Sequence, residues 1–329
     1  MSRKLHIVPG LNDCANGMAV VARLIAKARG DSEVVDLNHG LHRIRENDVA
    51  EIWVHGMWLP KEWLACWETL KCGKRLVRML HGCADPVRLK FHGWRKWLVG
   101  PIERWCLRRC DRIVATCETE KGWIERYLGR HCPPVEVTDI KRFFDLNRVG
   151  CVAVGNDFNR VERVETCRVW GSDSGRVETC RGEDYVEDGE LHLLYLGRRH
   201  PLKGLEYLEE AIRQIQDSPR VNTSAPSASP HLCVRIVSDA FGEKLEKIWD
   251  WCDVLVLPTL SENFGLVVAE ALERGKRVIT TDGAPAWGDG NDYGGRLVYL
   301  KGYRDGASET RVSLLREAIG QLMKRRNHV

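Results

Sequence analysis

Two carboxylates eight positions apart, Glu262 and Glu270, bracket the run Asn263-Phe264-Gly265 in the last third of this chain. Val254 to Leu257, just before them, are all apolar and read as a buried strand, and a helix is predicted from about Gly265. A helix start carries free N–H groups and the positive end of a dipole, so it favours an anion, and Gly265 lets a ligand approach the backbone. If both carboxylates were helical, they would stand roughly 12 Å apart with about 80° of rotation. Two carboxylates so spaced suit hydroxyl groups at opposite ends of an elongated polar ligand.

A second group lies upstream, Gly197-Arg198-Arg199-His200-Pro201-Leu202-Lys203-Gly204: a strand end, a cationic loop and a helix start. Arg offers phosphate oxygens a planar fork and Lys a compact charge. A nucleoside diphosphate gains negative charge as it leaves a sugar, and fixed cations with helix-end amides stabilise that state. No acidic pair suited to a divalent metal stands out, so the cations are read as replacing one. Singly, Glu262 reads equally as a helix cap, Glu270 as a solvated helix residue, and Arg198 and Lys203 as surface charges. Both motifs in this order, each on a strand–loop–helix junction, argue for a phosphate site.

These motifs resemble the group 1 retaining glycosyltransferases of GT-B fold, through Gly197-Arg198 with Lys203-Gly204 and Glu262-x7-Glu270 within Ser-Glu-Asn-Phe-Gly. The resemblance implies that Arg198 and Lys203 bind the donor diphosphate and that Glu262 faces the transferred sugar. It further implies that Gly197 and Asn263, Phe264 and Gly265 contact the donor, and that Glu270 holds the ribose. Asn16-Gly17 looks like the family's N-terminal glycine loop, which makes Gly17 a donor-binding candidate, although Gly17 could instead relieve a tight turn. His55-Gly56-Met57-Trp58 and Met79-Leu80-His81-Gly82 look like acceptor-side loops of envelope-polysaccharide members. His55, His81 and Asp85 are therefore the acceptor-binding candidates. Retaining members let the leaving phosphate take the acceptor proton, so His81 as general base is the lesser reading.

The elements that would position these residues alternate. Strands are expected at Leu5–Val8, Glu33–Leu37, Glu51–His55, Arg75–Leu80 and Arg112–Cys117, with helices at Met18–Ala28 and Glu118–Leu128 and a basic helix before Arg112. Beyond residue 190, strands are expected at Leu191–Leu196, Leu232–Val237, Val254–Leu257 and Arg277–Thr280. The helices there are Gly204–Gln216, Glu243–Trp251, Leu266–Arg274 and Arg311–Lys324, with a polar loop over Ser218–Pro230. Strands separated by helices imply parallel, helix-covered sheets. The fold class is α/β, and the resemblance makes it GT-B, two Rossmann-like domains facing a central cleft. The expected division is 1–145, an acceptor-side domain; 146–190, a linker or insert; and 191–329, a nucleotide-sugar-binding domain. That last domain is shortened, since Val221 to Leu257 reads as one strand and one helix where the family has a further strand–helix unit. The insert repeats Arg163-Val164-Glu165-Thr166-Cys167-Arg168 as Arg176-Val177-Glu178-Thr179-Cys180-Arg181 and has few residues for a core.

Composition narrows the partners. Hydrophobic residues make up 43% and charged residues 29%, the balance of a globular protein, and no apolar run is long enough to span a bilayer. With no export signal, the expected place is the cytoplasm, and the 13 cysteines are read as reduced thiols. Neither Cys106 with Cys110 nor Cys167 with Cys180 has zinc-ligand spacing, so no metal is expected. From Lys71 to Arg112 there are twelve Lys and Arg against three acids. Trp94, Trp97, Leu98, Ile102 and Trp105 fall on one helical face of that region. Residues 86–112 therefore suit an anionic membrane surface, against a competing and slightly favoured reading as a core-packed helix with a wet cationic side. No base-reading module accompanies the charge, so nucleic acid is excluded as a partner.

The resulting expectation is a metal-independent retaining hexosyltransferase. It would take a nucleotide sugar, a UDP-sugar first, as substrate without a further cofactor, and a lipopolysaccharide or other envelope glycan or glycolipid as acceptor. It would work in the cytoplasm or peripherally on the inner membrane face. The alternatives are a GT-B sugar-nucleotide epimerase or phosphorylase, and a non-catalytic nucleotide-sugar-binding protein of an envelope assembly complex.

Overall fold

A computed structural model describes residues 3–12, 16–91, 93–146, 168–169, 190–217, 232–238 and 240–326. The chain divides into two compact units, Met1–Phe143 and Phe144–Val329.

The first unit runs β1 (Arg3–Val8), α1 (Gly17–Arg29), β2 (Ser32–Asp36), α2 (Leu37–Arg43), β3 (Val49–His55) and α3 (Pro60–Lys71). It continues with β4 (Arg75–Met79), α4 (Pro86–Lys90), α5 (Gly93–Leu107), β5 (Arg112–Ala115), α6 (Glu118–Leu128) and β6 (Val135–Val137). The six strands form one parallel sheet in the order β2-β1-β3-β4-β5-β6. Its core joins Leu5, Ile7, Ile52, Val54 and Leu76 of the strands to Ala65, Leu107 and Ile124 of the covering helices.

The second unit runs β7 (Arg168–Val169), β8 (Leu191–Leu196), α7 (Leu205–Gln216), β9 (Leu232–Val237), α8 (Glu243–Trp251) and β10 (Val254–Leu257). After these come α9 (Leu266–Glu273), β11 (Arg277–Thr281), β12 (Leu297–Leu300) and α10 (Ser308–Arg326). The sheet order is β12-β11-β10-β8-β9-β7, parallel except for β7, which is antiparallel to β9. Leu193, Tyr195, Val254, Val256 and Ile279 pack against Leu208, Ile212, Leu315 and Ile319.

Several expected boundaries move for local reasons. The strand expected to reach Leu37 ends at Asp36, whose carboxylate accepts from the amides of Asn38 and His39 and so caps a helix, α2, that begins at Leu37. The strand expected to reach Cys117 stops at Ala115, because the Thr116 amide donates to the Glu120 carboxylate. The helix expected at Arg311–Lys324 extends to Ser308–Arg326. Six elements have no counterpart among those expected from the sequence: α2, α3, α4, β6, β7 and β12. The repeat within 146–190, apart from Arg168, and the whole of the Ser218–Pro230 loop lie outside the described residues.

Candidate functional site

Two loops of the second unit, each following a strand of its sheet, lock together. After β8, Gly197 extends the strand by donating to the Val237 carbonyl, and the chain turns through a short 3-10 segment, Pro201–Lys203. The His200 ring nitrogen Nδ1 accepts from the Leu202 amide. Leu202 offers its carbonyl to the amides of Leu260 and Ser261 and to the Thr259 hydroxyl, at 2.8 to 3.3 Å. Gly204 makes the contact possible. Its φ is +63°, and a Cβ there would lie 2.1 Å from the Pro258 carbonyl oxygen.

This junction places Lys203 against Glu262, and the ammonium and the carboxylate form an ion pair. Both side chains are mostly withdrawn from solvent, at 17% and 18% exposure. The Glu262 amide donates to the Gly283 carbonyl at 2.7 Å, and the other carboxylate oxygen of Glu262 accepts from the Asn263 amide at 3.1 Å. Arg198 is exposed, and its guanidinium has no ion pair among the described residues. Its carbonyl accepts from the Tyr195 hydroxyl at 3.1 Å, which fixes the backbone from which it projects.

Gly265, left-handed at φ +72°, is the cap from which α9 begins. Phe264 is buried, offers its carbonyl to the Trp287 indole N–H, stacks with Phe144 and packs at a tilt against the Trp287 ring. The start of α9 is thereby held beside Glu262; the Val268 amide donates to the Gly265 carbonyl at 2.9 Å, and the amides of Leu266 and Val267 before it have no acceptor within the helix. Glu270 lies one turn and a half along α9. Burial pushes its carboxyl up to about 7, with Arg274 pulling the other way and Glu273 and Glu246 adding to the rise. The carboxylate has no hydrogen-bond partner among the described residues.

In the first unit, Asn16 caps α1 and ties the preceding loop down. Its carbonyl oxygen accepts from the Met18 amide, and its amide group donates to the carbonyls of Pro9 and Gly10. Gly17 is the exposed first residue of α1. His6, His55 and His81 form a chain of imidazoles, with His6 Nδ1 3.0 Å from His55 Nε2 and His55 Nδ1 2.8 Å from His81 Nε2. All three are buried. Burial drives His55 well below the ordinary range, aided by its neighbours His81, His6 and Arg78. His55 was expected to touch an acceptor. With both ring nitrogens engaged and no exposure, it can act on one only through His81. Asp85 is fully buried and accepts from the Val87 amide, the cap of α4. His81 takes a left-handed conformation, φ +52°, in a turn clamped by Glu120, which accepts from the Gly82 and Thr116 amides and the Thr116 hydroxyl. Glu120 was not singled out from the sequence. A Glu three residues after the helix cap Cys117 is too common a pattern to mark it.

The helix α5 departs from the expected core packing. Trp94 and Trp97 are 66% and 78% exposed, and Leu98 and Ile102 are also exposed, while Trp105 stacks on Trp67 at 5.7 Å. Its inner side is pinned by a fully buried pair: Arg78 and Glu103 meet at 3.0 Å. Glu103 also accepts from the Trp58 amide and the Trp63 indole. Part of the basic charge is structural, since Arg104 and Arg108 donate to the Tyr127 and Leu128 carbonyls at the end of α6. Arg95 and Lys90 remain exposed. Among the described residues, one group of three side chains is gathered closely enough to hold a metal ion, Glu190, His192 and Cys233, at the opposite ends of the strands from these loops.

Comparison with known proteins follows the same division. Residues 190–300 match the family described as Glycosyl transferases group 1, and residues 19–148 match Glycosyltransferase Family 4. A glycosyltransferase of Methanocaldococcus jannaschii, itself uncharacterized, is 29% identical over 110 residues, and the match covers 29% of this chain and 28% of that protein's length. Sucrose-phosphate synthase from Thermosynechococcus elongatus superposes with a TM-score of 0.55 at 13% identity, covering 99% of this chain and 94% of that one. Anabaena HepE in complex with UDP gives 0.54 at 13% identity, covering 99% and 97%. The lipopolysaccharide outer core galactosyltransferase WaaB gives 0.51 at 11% identity, covering 97% and 91%. At these identities the likeness is one of fold.

Proposed function

Because this chain belongs to the GT-B glycosyltransferases, with a group 1 domain in its second unit, we propose that it transfers a hexose with retention from a UDP-sugar to a lipopolysaccharide or related envelope glycan. The observation that carries the proposal is the convergence of Lys203, Glu262 and the start of α9 on two interlocked loops, with the unpaired Arg198 beside them. Arg198, Lys203 and the first amides of α9 take the diphosphate, so no metal is needed to neutralise it. A bound phosphate competes with Glu262 for Lys203 and frees that carboxylate to meet the transferred sugar. Gly197 and Asn263 to Gly265 supply backbone contacts, and Glu270 accepts from ribose hydroxyls. In the reaction the bond from the anomeric carbon to the diphosphate oxygen breaks. The acceptor oxygen bonds to that carbon on the same face, and its proton passes to the departing phosphate.

On the acceptor side the turn of His81 meets the acceptor, and Asp85 fixes α4 after it. The exposed Trp94, Trp97, Leu98 and Ile102, with Lys90 and Arg95 nearby, suit the interface of an anionic membrane where a glycolipid acceptor resides. The HepE structure in complex with UDP and the activity of WaaB support the choice of donor and acceptor class by similarity of fold.

The test is transfer from a panel of nucleotide sugars to a membrane extract by the full chain. Lys203→Ala and Glu262→Gln should each lower kcat by about 100- to 1,000-fold, the loss seen when one transition-state donor is removed. Wild-type rates in either variant with the true donor would remove the site assignment.

A further inference from the structure

We propose a second site in the same unit: a zinc-class metal site made by Glu190, His192 and Cys233 at the amino ends of β8 and β9. The strand register creates it. His192 and Cys233 are direct partners in the parallel β8–β9 ladder, so their side chains share one face of the sheet. Glu190, two residues before His192, projects from that same face. The carboxylate oxygen of Glu190 lies 3.6 Å from His192 Nε2 and 3.4 Å from the Cys233 sulfur. All three ligand atoms lie within 4.8 Å of one another. Tetrahedral zinc with bonds of about 2.0 to 2.3 Å requires ligand separations of roughly 3.3 to 3.8 Å, so two of the three edges already have the right length.

The far side of the histidine supplies an independent observation. Nδ1 of His192 lies 3.4 Å from the Asp253 carboxylate, and that same oxygen accepts from the His192 backbone amide at 3.0 Å. A metal-bound imidazole is oriented by a carboxylate on its other nitrogen in this way, which holds Nδ1 protonated and leaves the Nε2 lone pair for the ion. Trp251 covers the ring, with centroids 4.6 Å apart. One thiolate, one imidazole and one carboxylate select zinc or cobalt over magnesium or calcium. Glu190 and Cys233 are half-buried, so solvent takes the fourth position.

The ion would tie β8 to β9, and through Asp253 to the start of β10. It would sit roughly 20 Å from the diphosphate loops, at the other end of a six-residue strand. Its role is therefore structural, separate from the transfer chemistry. Binding replaces the thiol hydrogen that Cys233 donates to Glu190, and one proton leaves with each ion bound.

The test is titration of the reduced full chain with cobalt(II), followed by the sulfur-to-cobalt charge-transfer absorption, with zinc(II) as competitor. The expected result is a band that saturates at one ion per chain and is displaced by zinc. It should be lost in Cys233→Ser and His192→Gln, kept in Lys203→Ala, and saturate at about 10- to 100-fold higher cobalt in Asp253→Asn. Zinc should raise the Tm of the wild type and of Lys203→Ala but not of His192→Gln, a readout that also reports whether each variant folds. A band unchanged in Cys233→Ser, or no saturable band in the wild type, would overturn the proposal and leave the transfer reading untouched.

Discussion

Replacing Glu270 by Gln separates what a buried carboxylate costs the free protein from what it contributes to a bound nucleotide. Burial pushes this carboxyl up to about 7, against an ordinary 4.5. At 1.36 kcal/mol per pH unit, that gap is worth roughly 3 kcal/mol. The sign follows from the direction. The folded protein holds the proton more tightly than the unfolded chain, so stability is complete below about 4.5, falls as pH rises toward 7, and is constant above. Urea unfolding of wild type and Glu270→Gln at pH 4.5 and pH 8 should therefore show the variant gaining roughly 3 kcal/mol on the wild type between the two. The comparison between pH values cancels any fixed cost of burying the amide. Nucleotide binding should move oppositely. Ribose hydroxyls donate to the ionised carboxylate, so wild-type affinity for UDP should weaken as pH falls below 7. The Gln variant should lose that dependence and bind more weakly at pH 8 by about 1.5 to 3 kcal/mol, the worth of hydrogen bonds to a charged group. Calorimetry reads both. Identical pH profiles for UDP in the two proteins would refute the ribose assignment, and identical unfolding profiles would refute the burial argument.

Glu103→Ala would leave Arg78 buried without its counter-ion and should destabilise the first unit by about 3 to 5 kcal/mol, measured by the same denaturation; a loss below 1 kcal/mol would mean that water reaches Arg78. Trp94→Ser with Trp97→Ser should reduce sedimentation with anionic vesicles about tenfold or more while leaving UDP affinity unchanged, and equal sedimentation of both proteins would remove the membrane reading.

The strand–loop–helix junction that carries the second unit's candidate site is legible in the sequence because its physics is local. An apolar strand, a polar loop with Gly and a helix start follow within ten residues at Leu257–Leu266, and a one-dimensional pattern suffices. What it cannot show is the pairing of Lys203 with Glu262, which depends on Leu202 gathering donors from a segment nearly sixty residues later. The same limit hides the Glu190, His192 and Cys233 group, whose ligands meet only through strand register. The helix α3 escapes notice because its apolar residues follow no single stripe: Leu64 and Trp67 face solvent while Ala65 and Cys66 are buried. The strand β12 is four residues long at a sheet edge, too short for periodicity to declare it.

The histidine chain bears on how any acceptor can be activated. Burial lowers His81 to about 3, with Arg88 contributing, and lowers His6 to a similar value. A group that takes up a proton only near pH 3 is a poor base at neutral pH, where matched bases lie near 7. The three rings therefore carry one proton each, and their two contacts order the tautomers in concert. His6 Nε2 is buried without a partner, and an orphaned N–H there costs more than an orphaned lone pair. The favoured arrangement leaves that nitrogen bare, makes His6 Nδ1 a donor to His55 and His55 Nδ1 a donor to His81, and so puts the proton of His81 on its own Nδ1. His81 then faces its surroundings as a neutral hydrogen-bond donor. A donor in that position can hold an acceptor hydroxyl by its lone pair but cannot remove its proton, so under the proposed transfer the base is the departing phosphate.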